Sequence, residues 1–317
     1  MKNIKVSFII PLYNESEVFA RLVERMNNLI SKINESCEVI LVDDGSHDST
    51  PSLIHQLSTQ DARYQSIILS RNFGQQNAIS AGLDHARGDF IMFLDADLQD
   101  PPELYFDFMN KINEGYDVVY GIRKNRKESF IKRVCYNIFY ALLNRVSNYP
   151  IPMDSGDFGL ITRRVAMAIN LNREESRFLR GIRSWVGFKQ TGLAYERMER
   201  QAGVPKYTLR KLFKLAADGI FNFTTLPIKL LTALGTVSII SSLVYFVITL
   251  VKKYFFGQVP IGFTALIFLI IFFGGLQMFF MGIIGEYIQR IFFQVKNRPL
   301  YIIKYHIKDG EQEFKHY

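Results

Sequence analysis

Phe90-Ile91-Met92-Phe93-Leu94-Asp95-Ala96-Asp97 decides how this chain folds. Five consecutive apolar residues fit a strand buried on both faces, the pattern of a parallel sheet covered by helices. Two carboxylates then arrive together at the strand's C-terminal end, the edge at which open α/β sheets bind ligands. Hard oxygen donors at this spacing suit Mg²⁺ or Mn²⁺ carrying a diphosphate. By itself the triplet also fits a surface turn, so its meaning depends on what surrounds it.

Short apolar runs recur on either side. Val6–Ile10, Glu38–Val42, Ser66–Leu69 and Val118–Tyr120 read as further strands. Between them, Glu15–Ile33 repeats apolar residues at helical spacing (Val18, Leu22, Leu29, Ile33). Ser49-Thr50-Pro51 reads as a helix start, with a capping hydroxyl and a first-turn proline, and Gln75–Ala86 as a third helix. This alternation implies an α/β fold: a Rossmann-like, mostly parallel sheet with helices on both faces. Right-handed crossovers place the strand ends on one edge.

Those ends carry Pro11-Leu12-Tyr13-Asn14-Glu15, Asp43-Asp44-Gly45-Ser46, Ser70-Arg71-Asn72-Phe73-Gly74 and Asp95-Ala96-Asp97-Leu98-Gln99-Asp100. Carboxylates and amides gathered at four strand ends are costly to desolvate without a partner. A sugar nucleotide with a metal would satisfy them, although turn chemistry explains each one singly. No Gly-x-Gly-x-x-Gly follows the first strand and no Walker loop is present. A dinucleotide fold is therefore disfavoured, and phosphate must be held by metal and arginine.

Hydrophobic residues make up 48% of the 317, and the excess is concentrated late. Leu230–Val251 and Phe263–Ile284 are uncharged runs of 22 residues each. As helices each would extend roughly 33 Å, enough for a bilayer core of about 30 Å. Residues 226–290 thus read as a two-helix transmembrane hairpin following an α/β domain over 1–225, with 291–317 as a tail. Most Lys and Arg lie outside the linker, which places the α/β domain and tail in the cytoplasm of an inner-membrane, multi-pass protein. Lys252 and Lys253 in the linker argue the other way but are outnumbered. Met1–Lys5 runs directly into the first strand without a signal-peptide pattern. Cys37 and Cys135 have neither metal-ligand nor redox spacing.

The net charge of +8 would fit nucleic acid, but no nucleic-acid-binding motif is present. Basic residues instead interleave with apolar ones over Phe130–Val146 and Tyr207–Phe221, which read as amphipathic helices in the membrane interface. Helices packed on the sheet are the alternative.

Ile9-Ile10-Pro11-Leu12-Tyr13-Asn14-Glu15, Val42-Asp43-Asp44-Gly45-Ser46 and Phe93-Leu94-Asp95-Ala96-Asp97 resemble the family 2 glycosyltransferases of GT-A fold. Ser70–Gly74, Asp97-Leu98-Gln99-Asp100-Pro101-Pro102-Glu103 and Asp157-Phe158-Gly159-Leu160 narrow the resemblance to polyprenyl-phosphate glycosyltransferases. These include bactoprenol glucosyltransferases and dolichyl-phosphate mannose synthases. The resemblance implies inverting transfer of a hexose from a nucleotide-sugar to a membrane polyprenyl phosphate. UDP-glucose and undecaprenyl phosphate are the best guesses; GDP-mannose, UDP-aminoarabinose and UDP-N-acetylhexosamine remain open.

By position, the resemblance implies that Pro11, Tyr13, Glu15 and Asp44 hold the nucleoside. It gives Asp95 and Asp97 the Mg²⁺ or Mn²⁺ and the diphosphate, with Gln99 beside them. Asp157 matches the family's candidate base, while Arg123 and Arg133 are candidates for the acceptor phosphate. Arg200–Tyr207 resembles the loop that closes over the donor and contributes Lys206, although Val204-Pro205 departs from the usual small residue before Lys-Tyr. Trp185 resembles an aromatic near the sugar, or is a core residue. The processive-synthase pattern Gln-x-x-Arg-Trp is absent. Gly274, Gly275, Gly282 and Gly285 allow close helix packing, within the hairpin or in a homo-oligomer, and a glycolipid flippase is a further partner to consider.

The acceptor's second pKa of about 6 leaves it largely dianionic at neutral pH. It needs little deprotonation, so Asp157 is expected to orient groups or stabilise charge as much as to act as a base. Two other readings compete: a non-catalytic nucleotide-sugar-binding membrane protein, and a transferase acting on a lipid-linked sugar hydroxyl.

Overall fold

A computed structural model of the chain describes residues 4–124, 155–175, 177–197, 226–257 and 262–313. Strands β1 (Val6–Leu12), β2 (Cys37–Asp43), β3 (Tyr64–Leu69) and β4 (Phe90–Phe93) run parallel, with β1 between β2 and β4. Beyond β4 lies β6 (Ser155–Thr162), antiparallel to it, then β5 (Val118–Lys124) and β7 (Gln190–Glu196). Beyond β3 the sheet continues with β8 (Ile303–Lys308), also antiparallel, and β9 (Glu311–Glu313). The result is a single mixed sheet of nine strands among the described residues, ordered β7-β5-β6-β4-β1-β2-β3-β8-β9.

Both faces of the sheet are covered. α1 (Ser16–Ile30), α2 (Thr50–Gln60) and α4 (Tyr105–Asn113) lie on one side. There Phe8, Ile10 and Leu12 share a core with Phe19, Leu22, Ile54 and Phe108. On the other side are α3 (Gln75–His85), α5 (Arg163–Leu171) and α6 (Leu179–Trp185). Ile9 and Val42 pack there with Ile79, Val165 and Ile182. Successive residues of one strand serve opposite cores, which is why the central strands are apolar throughout. A Cβ on Gly82 would lie 2.4 Å from the Ile9 side chain, so glycine lets α3 rest directly on β1.

The expected cap of α2 is replaced. Ser49 makes no side-chain capping bond. Asp48 instead accepts from Thr50 N at 3.0 Å and from Ser16 N at 3.2 Å, joining the starts of α1 and α2. Burial opposes its ionisation, but these donors prevail and hold its carboxyl down at about 2.

At the opposite edge of the sheet, Glu38 is a buried carboxylate with a full set of donors. Ser7 Oγ lies at 2.6 Å, Gln65 Nε2 at 2.5 Å, Arg87 N at 2.7 Å and Arg87 Nε at 2.8 Å. It ties β1, β2 and β3 to the turn before β4. Cys37, beside it, donates to Glu35 O, and burial pushes its thiol up to about 11.

Two long helices follow, α7 (Leu226–Phe256) and α8 (Phe263–Val295). The chain divides into two compact units, one running through Leu209–Arg298 and one built on the sheet. The segment read as a tail returns to the sheet as β8, and Tyr301 Oη donates to Asp84 at 2.6 Å. Among the described residues no helix is long and apolar enough to cross a membrane. The expected spans 230–251 and 263–284 therefore rest on the uninterrupted sequence. The expected interfacial helices near 130–146 and 207–221, with Cys135, lie outside the described residues.

Glu38→Ala leaves the Ser7 hydroxyl, the Gln65 amide and the Arg87 backbone N–H without their acceptor. It should lower stability by about 3 kcal/mol. Denaturant unfolding of the intact chain measures this, and a loss under about 1 kcal/mol would contradict the role given to Glu38.

Candidate active site

The C-terminal ends of the parallel strands form one polar edge. After β1 the chain turns at Asn14, whose φ of 52° is left-handed. The Asn14 N–H donates to Ser46 Oγ at 2.9 Å, and its Oδ1 accepts from His47 N at 2.8 Å. Glu15 N donates to Thr50 Oγ1 at 3.0 Å. The first and second strand ends are thus bonded to each other, with Pro11, Tyr13 and Glu15 half-buried along them.

Asp44 is buried and accepts from the Phe73 and Gly74 backbone N–H groups at 2.7 and 2.9 Å. Burial pushes its carboxyl up to about 6, against the pull of those two donors. Gly45 has φ +69°, and a Cβ there would lie 2.4 Å from the Arg71 carbonyl carbon. Only glycine permits this approach. Asp44 therefore serves first to hold the Ser70–Gly74 loop, whose Arg71 guanidinium stacks 4.0 Å from the Phe73 ring centroid.

Asp95 and Asp97 follow β4 side by side. Asp95 Oδ1 accepts from Gln75 Nε2 at 2.9 Å, and Asp97 Oδ1 accepts from Gln99 N at 3.2 Å. Their outer oxygens converge on one atom, Arg197 Nη2, at 3.9 Å from Asp95 Oδ2 and 3.7 Å from Asp97 Oδ2. Burial raises the Asp95 carboxyl above its ordinary range, and repulsion from Asp100, Asp97 and Asp157 adds to this.

Asp100, fully buried, collects three donors: Tyr195 Oη at 2.5 Å, Arg197 Nε at 3.0 Å and Arg123 Nη2 at 3.3 Å. Arg123, expected at the acceptor phosphate, is thus held by a carboxylate at the same edge. Arg133 and Lys206 lie outside the described residues.

Antiparallel pairing brings Asp157 to this edge. Phe93 of β4 lies opposite Gly159 of β6, which continues to put Asp95 near Asp157. Arg180 Nε donates to Asp157 Oδ1 at 3.0 Å, and Gln76 Nε2 donates to Oδ2 at 2.9 Å. Gln76 Oε1 also accepts from Leu179 N at 2.9 Å, fixing the start of α6. Burial alone would raise the Asp157 carboxyl. The Arg180 charge and bonds, with Arg183 and Gln76, outweigh burial and hold it below the ordinary carboxylate range. Arg183 is itself buried and packs over the Tyr120 ring. Trp185 is 57% exposed, which excludes the core role considered for it.

The sequence reading brought Asp95, Asp97, Gln99 and Asp157 to one edge but missed Gln75, Gln76, Arg180, Arg183 and Arg197. The two glutamines open α3 directly after the Ser70–Gly74 loop. That position, one turn from a strand-end ligand site, was the available signal.

The donor set also bears on a metal. Among the described residues no group of three His, Cys, Asp or Glu is placed to hold an ion. Two carboxylates aimed at one cationic point fit a hard divalent ion that takes its other ligands from water and phosphate.

Residues 7–169 match the model of glycosyl transferase family 2. The chain belongs to that family. It is a glycosyltransferase, and its relatives match over nearly their whole length. It is 41% identical to the uncharacterized glycosyltransferase YkcC of Bacillus subtilis, covering 96% of this chain and 94% of that one. It is 37% identical to the bactoprenol glucosyl transferase of Shigella phage SfII, covering 95% and 97%. A glucosyl-3-phosphoglycerate synthase from Mycobacterium tuberculosis, solved with Mn²⁺, UDP and glucosyl-3-phosphoglycerate, overlays with a TM-score of 0.44 at 17% identity, covering 68% of this chain and 76% of that one.

Because Asp157 is held in its ionised form, Asp157→Asn should lower kcat about a hundredfold, with little change in donor affinity. The loss should be the same from pH 6 to pH 8, since the wild-type carboxyl does not titrate there. A loss that shrinks as pH rises would instead mark Asp157 as a proton acceptor.

Proposed function

We propose that this glycosyltransferase transfers glucose, with inversion, from UDP-glucose to undecaprenyl phosphate at the cytoplasmic membrane face. The observation that carries the reading is the state of Asp157. A buried carboxylate that accepts from Arg180 Nε at 3.0 Å and Gln76 Nε2 at 2.9 Å, and is held below its ordinary range by them, is a weak proton acceptor. It suits an acceptor already anionic, such as a phosphate monoester, better than a sugar hydroxyl that must lose a proton. Asp157 then orients the reacting groups and stabilises positive charge developing at the sugar.

Asp95 and Asp97 would hold Mg²⁺ or Mn²⁺, which when bound neutralises the leaving diphosphate. Gln75 keeps the Asp95 carboxylate oriented toward that position. The strand-end segment around Tyr13 and Glu15 and the Asp44-clamped loop form the nucleoside side. The full-length likeness to a bactoprenol glucosyl transferase supports both the sugar and the acceptor. Purified chain should be offered UDP-glucose, UDP-N-acetylhexosamine, UDP-aminoarabinose and GDP-mannose, each with undecaprenyl phosphate. A hexosyl-phosphoundecaprenol identified by mass spectrometry with UDP-glucose, and abolished by EDTA or by Asp97→Ala, is the expected result. Product formation undiminished in excess EDTA would remove the metal, and product only from another donor would remove glucose.

The uncharged runs 230–251 and 263–284 are the proposed membrane spans. They lie within α7 and α8, whose described residues expose Val237, Ile240, Ile270 and Met278 among others. An apolar surface this extensive needs a lipid or protein cover. With Cys37 and Cys135 changed to Ser, a cysteine at Gly257 should label from outside the cell and one at Glu311 should not. The reverse pattern would overturn this topology.

A further inference from the structure

Arg197 is a cation at the candidate active edge to which the roles above assign nothing. It follows β7, whose parallel pairing with β5 brings its end to the same edge as Asp100. Among the described residues its guanidinium is hydrogen-bonded at one end. Nε bonds Asp100 Oδ1 at 3.0 Å, and that oxygen is buried and also bonded by Tyr195. The other end reaches Asp95 Oδ2 and Asp97 Oδ2 at 3.9 and 3.7 Å. These separations give charge attraction but exceed hydrogen-bond length. The arrangement is an anchored cation laid loosely across two carboxylates.

We infer that Arg197 is a built-in counter-cation that occupies the metal position of Asp95 and Asp97 until a nucleotide diphosphate arrives. This rests on the proposed donor and metal reading. Crowded carboxylates at this edge repel one another, and the guanidinium relieves that repulsion when no divalent ion is bound. A divalent ion and the guanidinium repel each other strongly when both face the same two oxygens. A diphosphate resolves the conflict because it offers the Nη end a new anionic partner while Nε keeps its bond to Asp100. Metal and nucleotide then bind with positive coupling, and the coupling is reciprocal. The donor-free enzyme would hold metal weakly.

The test is Mn²⁺ binding to the purified full-length chain, followed by the electron paramagnetic resonance of free Mn²⁺, with and without UDP. Wild-type protein should bind Mn²⁺ weakly alone and much more tightly with UDP. Arg197→Gln should bind Mn²⁺ about tenfold more tightly or better without UDP, and UDP should then add less. Arg197→Met, which keeps the aliphatic stem, should behave the same way, whereas Arg197→Lys, which keeps the charge but loses the second nitrogen, should fall between wild type and the neutral variants. Equal Mn²⁺ affinity of wild type and both neutral variants without UDP would overturn the role of Arg197 while leaving the metal reading intact. Equal affinity of wild type with and without UDP would overturn it on native protein alone. No Mn²⁺ binding by any chain, even with UDP, would remove the metal reading and this inference together.

Discussion

Four carboxylates crowded at the end of β4 and the start of β6 repel one another, and the candidate active edge is arranged around holding them there. Asp95, Asp97, Asp100 and Asp157 cannot all keep their charge without nearby cations and donors. The protein answers three of them differently. Asp157 is held ionised by Arg180 and Gln76. Asp100 is buried beneath Tyr195, Arg123 and Arg197. Among the described residues Asp95 has the Gln75 amide, the Arg197 guanidinium at 3.9 Å and the Arg123 charge, and burial together with its carboxylate neighbours still pushes its carboxyl upward. This upward-pushed carboxylate is one of the two proposed to receive a metal. That fits the rule that strongly perturbed groups gather where chemistry is done.

Stability and chemistry are separated along the strands. At the far edge, Glu38 is fully satisfied by Ser7, Gln65 and Arg87 and binds the turn before β4 to the three strands beside it. At the near edge, the same four strands end in polar loops bonded to one another: Asn14 to Ser46 and His47, Asp44 to Phe73 and Gly74, and Asp95 to Gln75. The Ser70–Gly74 loop joins the two sides of this division. Asp44 clamps it from the second strand, and Ser70 N donates to Ile302 O at 2.9 Å, just before β8. A segment more than two hundred residues later in the chain therefore extends the sheet beside this polar edge.

The α/β fold class, the strand-end position of Asp95 and Asp97, and the family were legible in the sequence. Apolar runs that end in Asp or Asn are short-range signals, and a buried parallel strand needs no partner to be recognised. Asp157 was legible through its motif, although it reaches the edge at the start of an antiparallel strand. β7 and β8 were not read as strands. Gln190–Glu196 is mostly half-buried at its residues and carries no apolar run, and β8 depends on a pairing with β3 that no local pattern encodes. The α2 cap was misread because Asp48, one residue earlier than Ser49, also bonds Ser16 from another element.

What the sequence by itself determined is the set of chemical groups and the order in which strands deliver them, because strand period and apolar content are local. What only the tertiary structure decided is how those groups are charged and paired. Arg180, Gln76 and Arg197 lie 23, 81 and about a hundred residues from the carboxylates they serve. Electrostatic balance at short distance depends on which elements the crossovers bring together, and spacing along the chain does not carry it.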